Sequence, residues 1–253
     1  MLNVEYVLED VRILSLKGSS VDGYRNRVNA YLPYDAWLEV EDEDFLYDVN
    51  VSHRSSKGRK RCTVAGLLML GEESEISSAL PNYLMTYSEY DASGNQIKHF
   101  TTKDGGAPEN LYEFYIDVSE RILSGIKPSF KLVDEFALSD SSVHRSLREA
   151  LAMALISADF EQPGGLHVTK TPTVISISYP GSDRSRMMHP LQTSINIGMT
   201  NTLIKLFNLI GVLEPRVTRN KDIPEVWSKQ GWKAPIFTYQ ENPERITATY
   251  PLK

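Results

Sequence analysis

The segment that most constrains the fold is SDSSVHRSLREALAMALISADF, residues 139–160. Its apolar residues recur at helical spacing, and Pro163, Gly164 and Gly165 follow as residues that end a helix. The apolar stripe consists of Leu147, Leu151, Ala154, Leu155 and Ala158. This pattern predicts an amphipathic helix packed against a core, and the next runs, LHVTK and VISISY, predict a pair of strands.

Other segments extend the same mixture of helices and strands. LPNYLMTYSEYDASGNQIKHFTT predicts a β-hairpin, because its centre holds the turn residues Asp91, Ser93, Gly94 and Asn95. PENLYEFYIDVSERILSGI, NTLIKLFNLIGVL and IPEVWSKQGW have helical spacing, and PIFTYQENPERITATYPL predicts two closing strands. Residues 1–35 suggest short β-like runs, a Gly-Ser-Ser turn and a polar segment. Together these patterns predict an α+β fold with mixed sheets and helices packed on one face.

An acidic run and a basic run are close together in the N-terminal third. EVEDEDFLYDV, residues 39–49, predicts a helix that begins with acidic residues; the glycine and terminal glutamate of a calcium loop are missing. KGRKRC then offers four cations for phosphate contact, although such a cluster is more often a solvated loop. The four are Lys57, Arg59, Lys60 and Arg61. The adjoining TVAGLLML is either a strand or a short buried helix.

Composition and motifs narrow the classes of function. The net charge of −6 argues against a protein whose whole surface follows nucleic-acid phosphates. A single cysteine, Cys62, forms no intrachain disulfide and suits a reducing cytoplasm, and no segment is long enough to span a membrane. The sequence has no HExxH, GxSxG or P-loop motif. We therefore expect no catalytic metal and no resident cofactor.

As a set, several motifs resemble one protein family. LPNYLMTYSEYD, ENLYEFY, VHRSLREALAMALISADF, GGLHV, ISYPGS, NTLIKLFNLIGVLE and ENPERITATYPL occur in the order found in bacterial Schlafen/AlbA-domain transcriptional regulators, whose members are described as ATP-binding or helicase-like. The resemblance covers about residues 33–252 and is to the C-terminal portion of that family. It implies a GHKL-like (Bergerat-type) ATPase domain over residues 131–253, a smaller α/β subdomain over residues 36–130 and an unassigned segment over residues 1–35. The AlbA-type nucleic-acid domain of the family has no counterpart, so the chain is expected to be a fragment or a member without that domain.

The resemblance also implies a nucleotide pocket that has lost its chemistry. Where the family has Glu, Asn and a His-x-Asp pair, this chain has Glu149, Met153, Ser157 and Asp159. Since magnesium takes oxygen ligands, the thioether of Met153 cannot replace an asparagine. Glu149 is either a functional carboxylate or a salt-bridge partner of Arg145 or Arg148, and Asp159 can simply accept hydrogen bonds at the helix end.

The remaining pocket positions also differ from the family's nucleotide-binding motifs. A Ser-Asn-Pro-Gly motif is Ser178, Tyr179, Pro180 and Gly181, and an Arg-Asn pair is Thr200 and Asn201. A Gly-Ser-Gly loop is replaced by VTRNKD, residues 217–222, and SDRSR at residues 182–186 is either a phosphate loop or a solvated loop.

We therefore expect a non-catalytic regulatory or scaffold module with a vestigial nucleotide pocket, in contact with a protein partner or with itself. Two alternatives stay open. One is a regulator that binds or hydrolyses Mg-ATP through Glu149 and Asp159. The other is a nucleic-acid-binding protein that uses the 57–61 loop. A separate route for DNA contact is a further N-terminal domain.

Overall fold

The computed structural model describes residues 2–33, 39–106, 108–127, 142–181, 202–213 and 223–253. In chain order, the described residues of the first part form a short 3-10 helix, four α-helices and two short strands. They are the 3-10 helix Ile13–Ser15, α1 Gly18–Tyr31, α2 Asp42–Asp48, β1 Ser52–Arg54, β2 Lys60–Cys62, α3 Val64–Leu70 and α4 Glu73–Ala79. Strands β1 and β2 form a two-stranded antiparallel sheet.

The described residues of the second part form a larger sheet and four helices. They are β3 Met85–Tyr90, β4 Gln96–Thr101, α5 Leu111–Leu123, α6 Ser142–Ser157, β5 Leu166–Lys170, β6 Val174–Pro180, α7 Thr202–Leu209, α8 Ile223–Gln230, β7 Ile236–Glu241 and β8 Glu244–Pro251. The strand order is β4-β3-β5-β6-β8-β7, in which β3 and β5 are parallel and the other neighbours antiparallel. The predicted α+β class with a mixed sheet is confirmed.

The hydrophobic core lies against one face of the large sheet. Strands β5, β6 and β8 bury alternate side chains, as expected for a sheet that is covered on one side. Helix α6 packs against β6 and α5, and Phe114 of α5 lies edge-on to Phe100 of β4 with ring centroids 6.2 Å apart. The sheet includes strands from both sides of residue 130, where we expected a domain boundary.

Helix α3 settles the open choice for TVAGLLML, because it is helical and buried on every side. Its N-cap is Thr63, whose Oγ1 accepts a hydrogen bond from the Gly66 amide at 3.0 Å. A Cβ atom at Gly66 would lie 2.1 Å from the Val51 carbonyl oxygen, so only glycine allows this close approach. A helix that is apolar all round needs neighbours on all sides, and α5 and α7 are two of them.

The expectation for residues 1–35 was wrong over its second half. The Gly-Ser-Ser turn and polar segment belong to helix α1, whose buried side chains include Val21, Tyr24 and Val28. The hydroxyl of Tyr24 donates to the Leu206 carbonyl oxygen at 2.9 Å, which ties α1 to α7. Polar residues on the exposed side hide this helix in the sequence, since its apolar stripe is narrow.

Candidate functional site

Helix α6 carries three of the predicted pocket residues in one stripe. Glu149, Met153 and Ser157 are four residues apart, so successive members lie about 6 Å from each other along the helix axis. Glu149 is 5% exposed, whereas Met153 and Ser157 are half-buried. The stripe therefore starts in the interior and ends at the C-terminus of the helix.

Met153 is part of the packing of the domain. Its side chain lies against the hydrophobic core cluster, among the half-buried apolar residues that border it. Methionine fills irregular apolar gaps well because its thioether chain is flexible and polarisable. The position that the family resemblance assigns to a metal-binding amide thus holds a side chain used for burial.

Glu149 is a buried carboxylate. A charged group with so little exposure requires a compensating interaction, and Glu149 is not without a partner in the folded chain. Both interpretations made from the sequence remain compatible with this placement: a carboxylate kept for chemistry and a carboxylate kept in an ion pair.

The end of α6 meets the end of β6. The Asp159 amide donates to the Pro180 carbonyl oxygen at 2.9 Å, and a Cβ atom at Gly181 would lie 3.5 Å from the Ser157 carbonyl oxygen. The structure therefore brings the backbones of Ser157, Asp159, Pro180 and Gly181 together. Tyr179, 7% exposed, belongs to the core at the same end of the sheet.

Asp159 has a local structural task. Its Oδ1 accepts a hydrogen bond from the Glu161 amide at 3.2 Å, and its carbonyl oxygen accepts one from the Gln162 amide at 3.0 Å. These two bonds form a turn directly after the helix, a role for which aspartate is well suited. The hydrogen-bonding interpretation of Asp159 therefore has direct geometric support.

The other predicted positions lie outside the described residues. They are Thr200, Asn201, the loop 217–222 and the SDRSR segment at 182–186.

Arg245 of β8 is a residue at this end of the sheet that the sequence did not single out. Its Nε donates to Ser178 Oγ at 2.7 Å, Nη1 donates to the Gly164 carbonyl oxygen at 3.1 Å, and Nη2 donates to the Gly165 and Ser178 carbonyl oxygens, both at 3.1 Å. Burial lowers the pKa of the guanidinium below its usual value. Arg245 thus fastens the glycine turn after α6 to strand β6.

The glycine turn itself requires glycine at Gly165. This residue has φ +55°, and a Cβ atom there would lie 2.7 Å from the Leu84 carbonyl oxygen. His167 Nε2 lies 2.6 Å from the Gly164 carbonyl oxygen, and burial lowers the pKa of this histidine. Gly164, His167 and Ser178 come together because the register of β5 and β6 places His167 opposite Ser178. Residue types alone do not predict this register.

The predicted cationic cluster is split by the structure into two pairs. Lys60 Nζ lies 2.8 Å from Asp44 Oδ1 and 3.6 Å from Glu43 Oε2, and Arg61 Nε donates to the Glu9 carbonyl oxygen at 2.8 Å. Lys57 and Arg59 are exposed at the tip of the β1–β2 hairpin. The acidic first turn of α2, predicted as a helix start, is therefore also the counter-charge for Lys60.

The described part of the chain holds no arranged metal site and has a groove away from the α6–β6 junction. No group of three or more His, Cys, Asp or Glu side chains within the described ranges is arranged to hold a metal ion.

An open groove of about 650 Å³ runs between β4 and α5, and it is lined by residues that include Lys98, Phe100 and Ile116. None of the predicted pocket residues borders this groove.

Comparison with known proteins gives little beyond the fold. Residues 3–86 match a family described as a domain of unknown function, DUF8451, and comparison with curated proteins gives no match. Among solved structures, the chain is similar to the DIP2311 protein from Corynebacterium diphtheriae, with a TM-score of 0.64 and 12% sequence identity. The similarity covers 98% of this chain and 46% of that chain, so this chain spans about half the length of DIP2311. At this identity the likeness concerns the fold alone.

No helix among the described residues combines the length and the hydropathy needed to cross a bilayer.

Proposed function

We propose that the chain is a non-catalytic regulatory or scaffold module of a transcriptional regulator, with a vestigial nucleotide pocket at the junction of α6 and β6. The observation that carries the proposal is the placement of Met153, one turn after Glu149, against the hydrophobic core. A thioether in that place offers no oxygen ligand to magnesium, and its removal from the core would cost packing energy.

The neighbouring positions support the same conclusion. Asp159 is engaged in a turn, and Gly181 lies against the end of α6. These groups are used to join a helix to a strand, which is a structural task. We propose that the module acts through contact with a protein partner or with itself, in the cytoplasm, where the buried thiol of Cys62 stays reduced.

A melting experiment with nucleotide tests this proposal. A ligand at 100 times its dissociation constant stabilises a fold by about 2.7 kcal/mol, a shift of several degrees in Tm for a domain of this size. We expect the Tm of the wild-type chain to be the same with millimolar Mg-ATP, with Mg-AMP and with magnesium alone.

A rise in Tm with Mg-ATP would contradict the proposal. If Mg-ATP raises the Tm, and Glu149→Ala abolishes the rise while Glu120→Ala keeps it, the chain is an ATP-binding regulator and the pocket is not vestigial. Glu120→Ala is the matched control because it removes an exposed carboxylate from another helix, α5.

A further inference from the structure

The tip of the β1–β2 hairpin carries positive charge that the described residues neutralise only in part. Arg54 and Lys60 are direct cross-strand partners, and like charges in such a pair destabilise a hairpin. Asp44 and Glu43 compensate Lys60. Arg54 instead donates to the Gly58 carbonyl oxygen at 3.2 Å, and no carboxylate of the described chain forms an ion pair with Arg54 or Arg59.

One carboxylate does approach the tip. Glu9 Oε1 accepts a hydrogen bond from the Ser56 amide at 2.9 Å. This bond, with a smaller contribution from the charge of Lys57, lowers the pKa of Glu9. Glu9 therefore offsets part of the charge of Lys57. Arg54 and Arg59 carry the remaining positive charge of the tip, although the net charge of the whole chain is −6.

The hairpin presents these cations on an ordered backbone. The Ser55 amide donates to the Arg59 carbonyl oxygen at 2.8 Å, and the Gly58 amide donates to the Ser55 carbonyl oxygen at 2.9 Å. Gly58 has φ +72°, and a Cβ atom there would have no neighbour within 4 Å, so the space beside Gly58 is open. An ordered turn loses little conformational entropy when a ligand binds.

The chemistry of the tip selects among polyanions. The turn SSKGR holds no apolar side chain, whereas attachment to a membrane surface uses apolar residues in addition to cations. It also holds no aromatic side chain on which a base could stack. A two-stranded ribbon with Arg and Lys at its tip fits the grooves of duplex DNA, where such residues contact phosphates without reading the sequence.

We infer that the β1–β2 hairpin contacts the phosphate backbone of duplex DNA through Arg54, Lys57 and Arg59, independently of base sequence. Lys60 and Arg61, which belong to the same basic run, have structural partners and contribute little. DNA contact by the hairpin is independent of whether the α6–β6 junction binds nucleotide.

Fluorescence anisotropy of a labelled duplex tests the inference with the whole chain. Three phosphate contacts predict that raising salt from 50 to 200 mM weakens binding by about 40-fold, and each cation removed makes the log–log slope shallower by about 0.9. We expect the variant Arg54→Ala/Lys57→Ala/Arg59→Ala to lose this binding at low salt, and a scrambled duplex to bind the wild type equally well.

The matched control removes the same charge elsewhere. Lys98→Ala/Lys103→Ala/Lys127→Ala also deletes three exposed cations, and it should leave the affinity within about twofold of the wild type. Equal melting temperatures and circular dichroism spectra establish that both variants fold. Absence of wild-type binding at low salt, equal losses in both variants, or tip-dependent binding to phosphatidylserine vesicles in place of DNA would overturn the inference.

Discussion

Cys62 illustrates how strongly burial controls chemistry at the scale of a residue. The side chain is fully buried, its Sγ donates to the Arg12 carbonyl oxygen at 3.2 Å, and burial raises the pKa of the thiol to about 12. Because thiolate is the reactive form, we predict that iodoacetamide does not label the native chain at pH 8 and labels it rapidly in denaturant. Labelling of the native chain at the denatured rate would show that the thiol is accessible.

The same shift has a consequence for stability at alkaline pH. The folded state holds the thiol proton more tightly than the unfolded state, so this contribution to the free energy of unfolding is complete below pH 9 and is lost as the pH rises toward 12. Buried tyrosines such as Tyr250, whose pKa is also raised by burial, act in the same direction. Urea unfolding at pH 8 and pH 10 should therefore show a more stable protein at pH 8.

Part of the candidate site was expected from the family resemblance. The resemblance implied that Ser157, Asp159, Pro180 and Gly181 belong to one pocket, and in the structure the Asp159 amide donates to the Pro180 carbonyl oxygen. Arg245 could not be predicted, because its partners Ser178 and Gly164 converge on it only through the order and register of β5, β6 and β8. The consequence of Met153 was predictable from its chemistry, since a thioether supplies no oxygen ligand to magnesium.

At the scale of secondary-structure elements, Asn110 joins the N-terminal helices to α5. Its Oδ1 accepts a hydrogen bond from the Glu113 amide at 3.0 Å as the N-cap of α5, while its Nδ2 donates to Ser20 Oγ at 2.9 Å and to the Gly71 carbonyl oxygen at 3.0 Å. The side chain is fully buried, so any partner left unpaired would be cut off from water. One residue thus caps a helix and fixes the position of α1 and α3 against it.

We predict that Asn110→Ala lowers the free energy of unfolding by about 2–4 kcal/mol, the sum of a lost cap and lost buried hydrogen bonds. Asn110→Asp keeps the acceptor for the Glu113 amide but loses both donors and buries a charge, so it should not restore stability. Asn26→Ala is the control because Asn26 lies exposed on α1, and it should change stability by less than about 0.5 kcal/mol. Equal effects of Asn110→Ala and Asn26→Ala in urea unfolding would contradict the role of Asn110.

A polar network beside Asn110 strengthens the same junction. Lys17 Nζ lies 2.9 Å from Glu109 Oε1 and 2.9 Å from Glu113 Oε1, and Ser20 Oγ donates to Glu113 Oε1 at 2.7 Å. The hydrogen bonds and charges of the two glutamates raise the pKa of Lys17 against the opposing effect of burial. These contacts link residues that are more than ninety positions apart, so no local sequence pattern predicts them.

At the scale of the whole molecule, helices and strands with strong periodicity were predictable and their arrangement was not. The β3–β4 hairpin, α5, α6, the β5–β6 pair and the closing β7–β8 pair follow from spacing and turn residues. Helix α1 was missed, because its polar residues outweigh a narrow apolar stripe. The single sheet that includes β3 and β4 with β5–β8 depends on the parallel pairing of β3 and β5, a contact between distant segments that no local pattern encodes.

In the described residues, a helical N-terminal part, whose hairpin carries positive charge at its tip, adjoins a large sheet. We propose that the α6–β6 junction does not bind nucleotide. Isothermal titration of Mg-ATP into the wild type and into Met153→Asn tests it most directly, because it measures binding without reference to stability or turnover. We expect no binding heat for either protein at millimolar nucleotide, because Met153→Asn does not restore the Gly-Ser-Gly loop that the family resemblance places at residues 217–222, where this chain has VTRNKD. Saturable binding by the wild type, or its appearance in Met153→Asn alone, would contradict this expectation.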